Sequence, residues 1–453
     1  MNLPNYFLAD LPPEATLTPP MIAEACQTLK RNRGQYLAAR STSHLVKVIS
    51  ETSANWLQPD YPFRCLVLEV GPSVTGFQHA TLVRGLDAFF SEVTRENLHA
   101  LLVQELGHAH RLDEMSAPAG ESKLNHAAMA RGPELLAHIT AGNIPSPTLL
   151  SIVLGLLVRS AQFVKCASGT SFLPRLFAHS LYEADPKLAS CLEIAEWRGG
   201  ESALEEALFV EADCLTATGS DETLATIRQR LPRLTRFLGY GHRVSFGYIA
   251  RGALSGFGTK KLVARAAEDV IAWNQLGCLS PHVIYVESGG SLSAEQFAEE
   301  LSEELKRREA DEPRGEVPVE LAATIASRRD VYRVRAAASQ ETRLWCSEGS
   351  TAWTVVHEAD ARFQPSCLNR FVYVKCAPDL AEALRQSESV RGQVSTVGLA
   401  SPDDDARTLA TELARWGVTR VCPLGQMQTP PLTWRHDGRP SLGDLITWTD
   451  WEQ

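Results

Sequence analysis

The chain has 453 residues, of which 44% are hydrophobic and 22% charged, and its formal net charge is −10. This length predicts two or three domains, and the composition is that of a soluble globular enzyme. The acidic balance provides no basic surface, which argues against nucleic acid as a partner.

The sequence predicts a cytoplasmic protein without a membrane span. Its first residues, MNLPNYFLADLPPE, lack the basic start and the long apolar run of a secretion signal. The most apolar stretch, Thr148–Val158, is much shorter than a bilayer-spanning helix and is interpreted as a buried helix. The ten cysteines include no C-x-x-C pair, which is typical of reduced thiols.

The first 130 residues predict a mixed, mostly helical region. Apolar residues recur at threes and fours from Leu82 to Leu106, which favours a helix, whereas FRCLVLEVG (residues 63–71) is predicted to be a strand. After Arg131 helices alternate with the predicted strands LLAHIT, QFVKCAS, SCLEIAEW, CLTATG, LTRFLGY and VSFGYIA. This alternation predicts a largely parallel sheet covered on both faces, with ligands at the carboxyl ends of its strands.

A second αβ region is predicted to begin near Lys260. Its first helix, LVARAAEDVIAW, leads through a loop that contains Cys278 to the strand HVIYVE. Residues 293–316 predict a solvent-facing charged helix that runs into a polar loop, and AWTVVHE and RFVYVKC predict further strands. The last pass, PDDDARTLATELARWGVTRVC, predicts an acid-capped helix followed by a strand.

Cys278 differs from the other nine cysteines in its local pattern. Gly277 and Pro281 interrupt the helical and strand periodicities around it, which places it on a loop. A reactive thiol needs exposure and surroundings that favour the thiolate. The other nine cysteines are interpreted as small buried hydrophobic residues, and from spacing alone burial is also the alternative for Cys278.

Two further motifs lead to no site. His108 and His110 suggest a metal, but residues two apart on a helix face different sides, so no metal site is predicted. Residues 252–261, GALSGFGTKK, match neither glycine-rich phosphate motif and are interpreted as a flexible connection between domains.

Three polar features fall at predicted strand ends in the first αβ region. Asn143 lies in HITAGNIPSP, Lys165 in QFVKCAS and Gly219–Ser220 in CLTATGSDETLATI, just before a helix. Each has an ordinary alternative, namely a turn asparagine, a surface lysine and a helix-capping serine. Together they place an amide, a cation and a helix N-terminus at one edge of one sheet.

In this order the segments resemble the aldehyde dehydrogenase superfamily, and within it the long-chain fatty acyl-CoA reductases of the bioluminescence (LuxC-like) type. Residues 138–168 resemble the family's Pro-Trp-Asn-Phe-Pro strand end, its helix and its Val-Leu-Lys-Pro-Ser-Glu strand. CLTATGSDETLATI resembles the Phe-Thr-Gly-Ser nucleotide turn, and WNQLGCLSPHVIYVE resembles the Gly-Gln-x-Cys nucleophile segment. The resemblance extends from about Leu135 to the C-terminus.

The resemblance implies NAD(P)H-dependent reduction of a fatty acyl-CoA thioester to an aldehyde. Cys278 would be the nucleophile that forms an acyl-enzyme, and the Asn143 amide with the Cys278 backbone N–H would stabilise the oxyanion. Lys165, Ser168 and Gly219–Ser220 would bind the cofactor. The acyl donor would be acyl-CoA or another acyl thioester, with an acyl-transferring partner protein as an open alternative.

Departures from the family's motifs bear on the reaction. Hydrolytic members use the glutamate of Glu-Leu-Gly-Gly as the general base, but Gly239 stands there, and GYGHRVS resembles the turn of CoA-acylating members. ARFQP (residues 361–365) echoes Glu-x-Phe-Gly-Pro but lacks the glutamate that holds the nicotinamide ribose. Two alternatives therefore stay open: a non-catalytic acyl- or nucleotide-binding relative, and an aldehyde dehydrogenase that runs towards the acid.

The segment Lys165–Ser168 bears on the cofactor. In the family, Lys-Pro-Ser-Glu meets the adenosine ribose, and its glutamate would repel a 2′-phosphate. Here the stretch reads Lys-Cys-Ala-Ser, so the cation stays and the acid becomes a hydroxyl. This predicts a preference for NADPH, with use of both NADPH and NADH as the alternative.

The resemblance also implies the fold and the assembly. We expect an α/β protein of the aldehyde dehydrogenase type, with two αβα domains and a small oligomerisation arm. Residues 1–255 are predicted to form the N-terminal segment and the NAD(P)-binding domain, residues 256–430 the catalytic domain, and residues 431–453 a C-terminal docking segment. The assembly is predicted to be a homodimer or homotetramer.

Overall fold

The computed structural model describes residues 3–12, 14–123, 125–254 and 258–452, which form two units. The first unit comprises residues 1–75, 86–241 and 431–453, and the second comprises residues 76–85 and 242–430. The α-helices are α1 (Pro19–Asn32), α2 (Thr42–Trp56), α3 (Pro62–Thr75), α4 (His79–Phe90), α5 (Arg95–Leu106), α6 (Ala119–Ser122), α7 (Ser146–Leu157), α8 (Phe172–Ala184), α9 (Pro186–Ala189), α10 (Ser202–Glu211), α11 (Asp221–Arg230), α12 (Thr259–Ile271), α13 (Ala294–Asp311), α14 (Val319–Ala338), α15 (Leu380–Gln386) and α16 (Asp403–Trp416). The strands are β1 (His126–Arg131), β2 (Leu135–Ile139), β3 (Ala161–Cys166), β4 (Leu192–Glu196), β5 (Cys214–Thr218), β6 (Arg236–Tyr240), β7 (Val244–Ile249), β8 (Pro281–Glu287), β9 (Thr342–Cys346), β10 (Thr354–Glu358), β11 (Phe371–Ala377), β12 (Val394–Ala400), β13 (Arg420–Pro423) and β14 (Thr447–Glu452).

The first unit contains a five-stranded parallel sheet with the strand order β4-β3-β2-β5-β6. The helices between these strands carry apolar faces, and side chains of α1 and α10 pack with the strands in one buried core. The predicted strand–helix alternation of this region is confirmed. From β4 at one edge of the sheet the chain returns to β5, on the other side of β2, so the strand order reverses between β2 and β5. Open α/β sheets bind ligands at such a switch point.

The predicted strand at residues 63–71 is wrong, because this stretch is part of helix α3. The buried positions are Phe63, Arg64, Val67 and Gly71, whose spacings of three and four are those of one face of a helix. A nearly continuous apolar run satisfies the strand and helix patterns alike, so its periodicity did not decide between them. Pro62, whose fixed φ suits a first helical turn, begins the helix.

The second unit contains a seven-stranded sheet with the order β13-β12-β7-β8-β11-β10-β9, parallel except for β9. Along β8, Ile284 and Val286 belong to a core shared with α12 and α13, whereas Val283 and Tyr285 belong to a second core shared with α14 and α16. This alternation shows that both faces of the sheet are covered, as predicted for an αβα domain.

The predicted domain boundary between residues 255 and 256 lies outside the described residues. The two units divide between Gly241 and His242, because strand β7 pairs with β8 and β12 of the second sheet. The segment 431–453 belongs to the first unit, where β14 pairs with β1 as an antiparallel ribbon. None of the described helices is both long and apolar enough to cross a membrane.

Candidate active site

The predicted cofactor residues and the predicted catalytic residue Asn143 lie at the carboxyl edge of the five-stranded sheet. Asn143 is exposed in a bend between β2 and α7, and Ser168 is exposed in the turn that follows β3. Gly219 and Ser220 follow β5, the strand on the other side of β2. The parallel register therefore brings these residues, together with Lys165 near the end of β3, to one edge of one sheet.

The Asn143 bend packs closely against the Ser168 turn. A Cβ at Gly142 would lie 2.8 Å from the Thr170 Cγ2 atom and 3.6 Å from the Ala167 Cβ atom, so only glycine fits there without a shift. The Thr170 N–H donates to the Ala167 carbonyl at 3.0 Å, which closes a turn with Ser168 at its corner. Its next residue, Gly169, has a φ of +77°, a conformation that favours glycine.

Lys165 is buried, which corrects the alternative of a surface lysine. Its side chain is 3% exposed, and its ammonium lies 5.7 Å from the centre of the Trp197 ring. Burial lowers the pKa of Lys165, whereas the negative charges of Glu205 and Glu196 oppose that shift. A partly desolvated cation at this edge can bind ribose hydroxyls or a phosphate.

Ser220 caps helix α11, so the alternative prediction of a helix-capping serine is correct for this residue. Its hydroxyl accepts the Thr223 N–H at 3.2 Å, and the Gly219 N–H donates to the Tyr240 carbonyl at 3.2 Å. Asp221 and Glu222 occupy the first turn of the helix, where they interact favourably with its dipole. The carboxylates of these two residues would repel a cofactor phosphate, so its donors would be backbone N–H groups at the start of the helix.

Glu196, at the end of β4, was missed by the sequence analysis. Its carboxylate accepts the Gly169 N–H at 2.6 Å and the Ser171 N–H at 3.0 Å, which fixes the turn that carries Ser168. The only sequence signal was an acid at the end of a predicted strand, SCLEIAEW. The acid that is missing at residue 168 is therefore partly replaced by one from the neighbouring strand.

Cys278 lies in the second unit, at the amino end of strand β8. The residue is exposed, whereas Gly277, Leu279 and Ser280 around it are buried. The Ser280 N–H donates to the Gly277 carbonyl at 3.0 Å, so Cys278 is the first corner residue of a tight turn. The predicted loop position is confirmed, and the turn presents one thiol on an otherwise buried segment.

The backbone before this turn is strained. Trp273, Asn274 and Gln275 have φ values of 49°, 52° and 65°, which is unusual for three consecutive residues other than glycine. The Gln275 side chain is fully buried, and its amide donates to the carbonyls of Pro281 at 2.7 Å and Phe371 at 2.9 Å. Its oxygen accepts the Phe371 N–H at 2.8 Å, so β11 holds the strained segment in place.

Gln428 supports the inner side of the Cys278 turn. Its amide donates to the Ser280 hydroxyl, and a Cβ at Gly277 would lie 2.6 Å from its side-chain oxygen. The loop that precedes Gln428 is fixed by Asp269 of α12, whose carboxylate accepts the N–H groups of Gly425 and of Met427, the latter at 2.8 Å. The turn is thus supported by residues far from it in the sequence.

His282 connects the Cys278 region to the segment after ARFQP. Its Nδ1 atom accepts the Ser366 N–H at 3.0 Å, and its ring lies 6.2 Å from that of Phe363. Burial, with the nearby charge of His242 as a smaller cause, lowers the pKa of His282 to about 4, so the imidazole is neutral with its proton on Nε2. No sequence pattern distinguished this histidine.

The remaining cysteines differ in exposure. Burial raises the pKa to about 12 for five of them, Cys26, Cys166, Cys191, Cys214 and Cys422. Of the nine, Cys26, Cys166, Cys191 and Cys214 are buried as predicted, whereas Cys346, Cys367, Cys376 and Cys422 are only half-buried. The prediction is wrong for Cys65 on α3, which is exposed. The error has the same origin as the wrong strand, because a helix places this position on its outer face.

His108 and His110 lie in turns after α5, not on a helix, because Gly107 ends that helix with a φ of +73°. Their ring centres are 5.6 Å apart. Among the described residues, no group of three or more histidine, cysteine or acidic side chains is arranged to hold a metal ion.

Comparison with known proteins gives one family and one fold. A family model described as acyl-CoA reductase (LuxC) matches residues 37–448. The chain is 24% identical to a long-chain acyl-protein thioester reductase of Aliivibrio fischeri, over 80% of this chain and 71% of that protein. It is 21% identical to the reductase of the same name from Vibrio harveyi, over 92% of this chain and 84% of that protein.

Solved structures of low sequence identity share the fold. The putative aldehyde dehydrogenase PutA from Anabaena variabilis matches with a TM-score of 0.71 at 16% identity, over 96% of this chain and 93% of that one. An NADP-dependent glyceraldehyde-3-phosphate dehydrogenase from Bacillus halodurans matches with a TM-score of 0.71 at 13% identity, over 96% and 92% of the two chains. A bifunctional proline utilization A protein matches at 0.73 and 17% identity over 96% of this chain, which spans only 45% of that longer protein. The predicted aldehyde-dehydrogenase-like fold is confirmed.

Proposed function

The chain belongs to the acyl-CoA reductase (LuxC) family, and on that premise we propose that it reduces a long-chain fatty acyl thioester to the aldehyde. Curated relatives support the reaction because they are named long-chain acyl-protein thioester reductases. The proposed acyl donor is acyl-CoA, and an acylated partner protein is the alternative that those names favour.

Cys278 is the nucleophile of the proposed reaction. Its thiolate attacks the thioester carbonyl, the donor thiolate leaves with the electron pair of the broken C–S bond, and the acyl group stays on Cys278. A reduced nicotinamide, when bound, would supply hydride to the carbonyl carbon of the acyl-cysteine, which gives the oxyanion of a thiohemiacetal. This collapses to the aldehyde and regenerates the thiolate. The observation that carries the proposal is the exposed thiol on an otherwise buried turn.

Gly239 supports reduction over oxidation to the acid. Gly239 has no carboxylate, and a Cβ at this residue would lie 3.0 and 3.2 Å from two carbons of the Phe237 ring, so a glutamate there would require that ring to shift. Without a general base to activate water, the acyl-cysteine persists long enough to accept hydride. The side-chain amide of Asn143 and the backbone N–H of Cys278 are the proposed oxyanion donors.

The cofactor is proposed to bind at the carboxyl edge of the five-stranded sheet. The chemistry of this edge fits a dinucleotide, since it offers a buried cation at Lys165, an exposed hydroxyl at Ser168 and the start of α11 after Gly219–Ser220. These residues would hold the adenosine ribose and the phosphates.

A spectroscopic assay tests the proposed reaction. Acyl-CoA is expected to cause loss of the reduced-nicotinamide absorbance together with formation of the fatty aldehyde, and acyl carrier protein bearing the same chain is assayed in parallel. No loss with either donor would support the non-catalytic alternative. Production of acid from aldehyde without CoA would support the oxidative one.

The cofactor is predicted to be NADPH in preference to NADH, by about tenfold in kcat/KM. Absence of a carboxylate at residue 168 removes a repulsion of about 1 kcal/mol or more from a 2′-phosphate. Ser168→Glu should therefore lower the preference by about fivefold or more, whereas Glu196→Gln should increase it, because Glu196 retains a negative charge beside this turn. The measurement is kcat/KM with both cofactors for the three proteins. A wild type that prefers NADH would contradict the prediction.

The protein is proposed to form a homodimer or homotetramer through the ribbon of β1 and β14. Every residue of β14 is exposed, and Trp448 and Trp451 are 38% and 51% exposed. An exposed ribbon edge with aromatic side chains is suited to pairing with a second copy. A monomer in light scattering at micromolar concentration would count against this proposal.

A further inference from the structure

Ser245 lies at a point where both strands beside β7 carry an extra residue. It is fully buried, and it pairs with Pro281 of β8 while the next residue pairs with Val283, which leaves His282 as the extra residue. On the other side, β12 shifts in the same way between Val394 and Thr396. Such register shifts redirect the backbone and the side chains locally, and active sites are one of the places where β-bulges are over-represented.

The Ser245 hydroxyl connects the two irregular strands to the nucleophile. Its oxygen accepts the Thr396 N–H at 3.1 Å, and its proton is donated to the Cys278 carbonyl at 2.8 Å. A hydroxyl has one proton to donate, so the direction of this hydrogen bond is fixed. Because Ser245 is buried, the Cys278 carbonyl points into the protein.

This carbonyl belongs to the central peptide of the Gly277–Ser280 turn. The two common forms of such a turn differ by a flip of that peptide, and the flipped form requires a positive φ at the second corner, which Leu279 does not have. The C=O and N–H groups of a trans peptide point in opposite directions. The Leu279 N–H is therefore directed to the exposed side of the turn, where Cys278 lies.

We propose that Ser245 is a positioning residue that holds the Cys278 carbonyl dipole away from the reacting acyl group. In the flipped peptide a carbonyl oxygen would face the side on which negative charge develops during attack on the thioester, and it would oppose that charge. The inference rests on the proposed function, which assigns Cys278 as the nucleophile. It adds a residue that, together with the cost of a positive φ at Leu279, holds the turn in this form.

The experiment compares two reactions of the same thiol in Ser245→Ala. Single-turnover acylation by acyl-CoA develops an oxyanion, whereas alkylation by iodoacetamide needs only an accessible thiolate. We expect acylation of Cys278 to slow by about 10- to 100-fold while alkylation stays within about twofold of the wild type. Ser302→Ala is the matched control, because Ser302 is 1% exposed and donates its hydroxyl to a backbone carbonyl on α13; it should leave both rates unchanged.

Ser245→Thr keeps the hydroxyl and should recover most of the acylation rate. If the alanine variant does not fold, the acylation and alkylation rates of the threonine variant test the inference. Acylation within about twofold of the wild type in Ser245→Ala, an equal loss in both reactions, or a threonine variant no faster than alanine would overturn the inference. A wild-type protein that acyl-CoA does not label at Cys278 would overturn the proposed function, and the inference with it.

Discussion

Cys278→Ser is expected to abolish acylation and, with it, reduction of acyl-CoA. A serine hydroxyl is not ionised near neutral pH, whereas a thiol is partly ionised and intrinsically more nucleophilic. The substitution should leave the fold intact, because residue 278 is exposed at the corner of a turn and its side chain is outside the core. Incubation with labelled acyl-CoA, digestion and mapping of the label measure the effect directly.

Cys65→Ser is the matched control for this experiment. Among the described residues, Cys65 and Cys278 are the two exposed cysteines, so both are accessible to the reagent. The Cys65 variant should be labelled and should turn over like the wild type. Label on any other cysteine, or label retained in Cys278→Ser, would contradict the assignment of the nucleophile.

The edge of the first sheet could be predicted from sequence because its features are local. Turn residues, a helix-capping serine and alternating apolar strands located the ends of β2, β3 and β5, and parallel pairing then placed Asn143, Lys165 and Ser220 together. The burial of Lys165 and the contact of Glu196 with the Ser168 turn could not be predicted in this way. Both depend on β4, and the order of strands in the sheet, which the local sequence pattern does not give, determines that β4 lies next to β3.

The surroundings of Cys278 were less predictable, for a physical reason. Local periodicity showed that this residue lies on a loop, but the loop is at the amino end of β8, whereas the rule for parallel sheets directs attention to carboxyl ends. Its supports, Ser245 and Gln428, are separated by 33 and 148 residues from the groups in this turn that they bond. Hydrogen bonds over such separations leave no periodic signal in the sequence.

The segment that contains Cys65 shows the opposite limit. Local pattern alone predicted a strand there, and tertiary packing produced a helix whose buried positions recur at spacings of three and four residues. Short apolar runs do not distinguish the two structures until the elements that cover them are known. The same uncertainty did not arise for α7, since its apolar run, Thr148–Val158, is 11 residues long, which is too long for an ordinary strand.

Asn143→Ala is expected to lower kcat for acyl-CoA reduction by about 100- to 1000-fold, the usual cost of removing one oxyanion donor. The amide would donate to the oxygen that becomes negative when Cys278 attacks and again when hydride is delivered. An interaction made only in these tetrahedral species affects kcat and leaves KM nearly unchanged. Steady-state kinetics with acyl-CoA, together with cofactor binding, separates this effect from a loss of affinity.

The fold should tolerate Asn143→Ala, because the residue is exposed in a bend outside the core. Asn55→Ala, at an exposed position of α2 in the same unit, is the matched control and should retain full activity. Asn143→Asp should be at least as slow as alanine, since a carboxylate of similar size replaces a donor by a negative charge that repels the oxyanion. A loss of kcat below about tenfold in the alanine variant, or an aspartate variant faster than alanine, would remove Asn143 from the proposed oxyanion site and leave the backbone N–H of Cys278 as its donor.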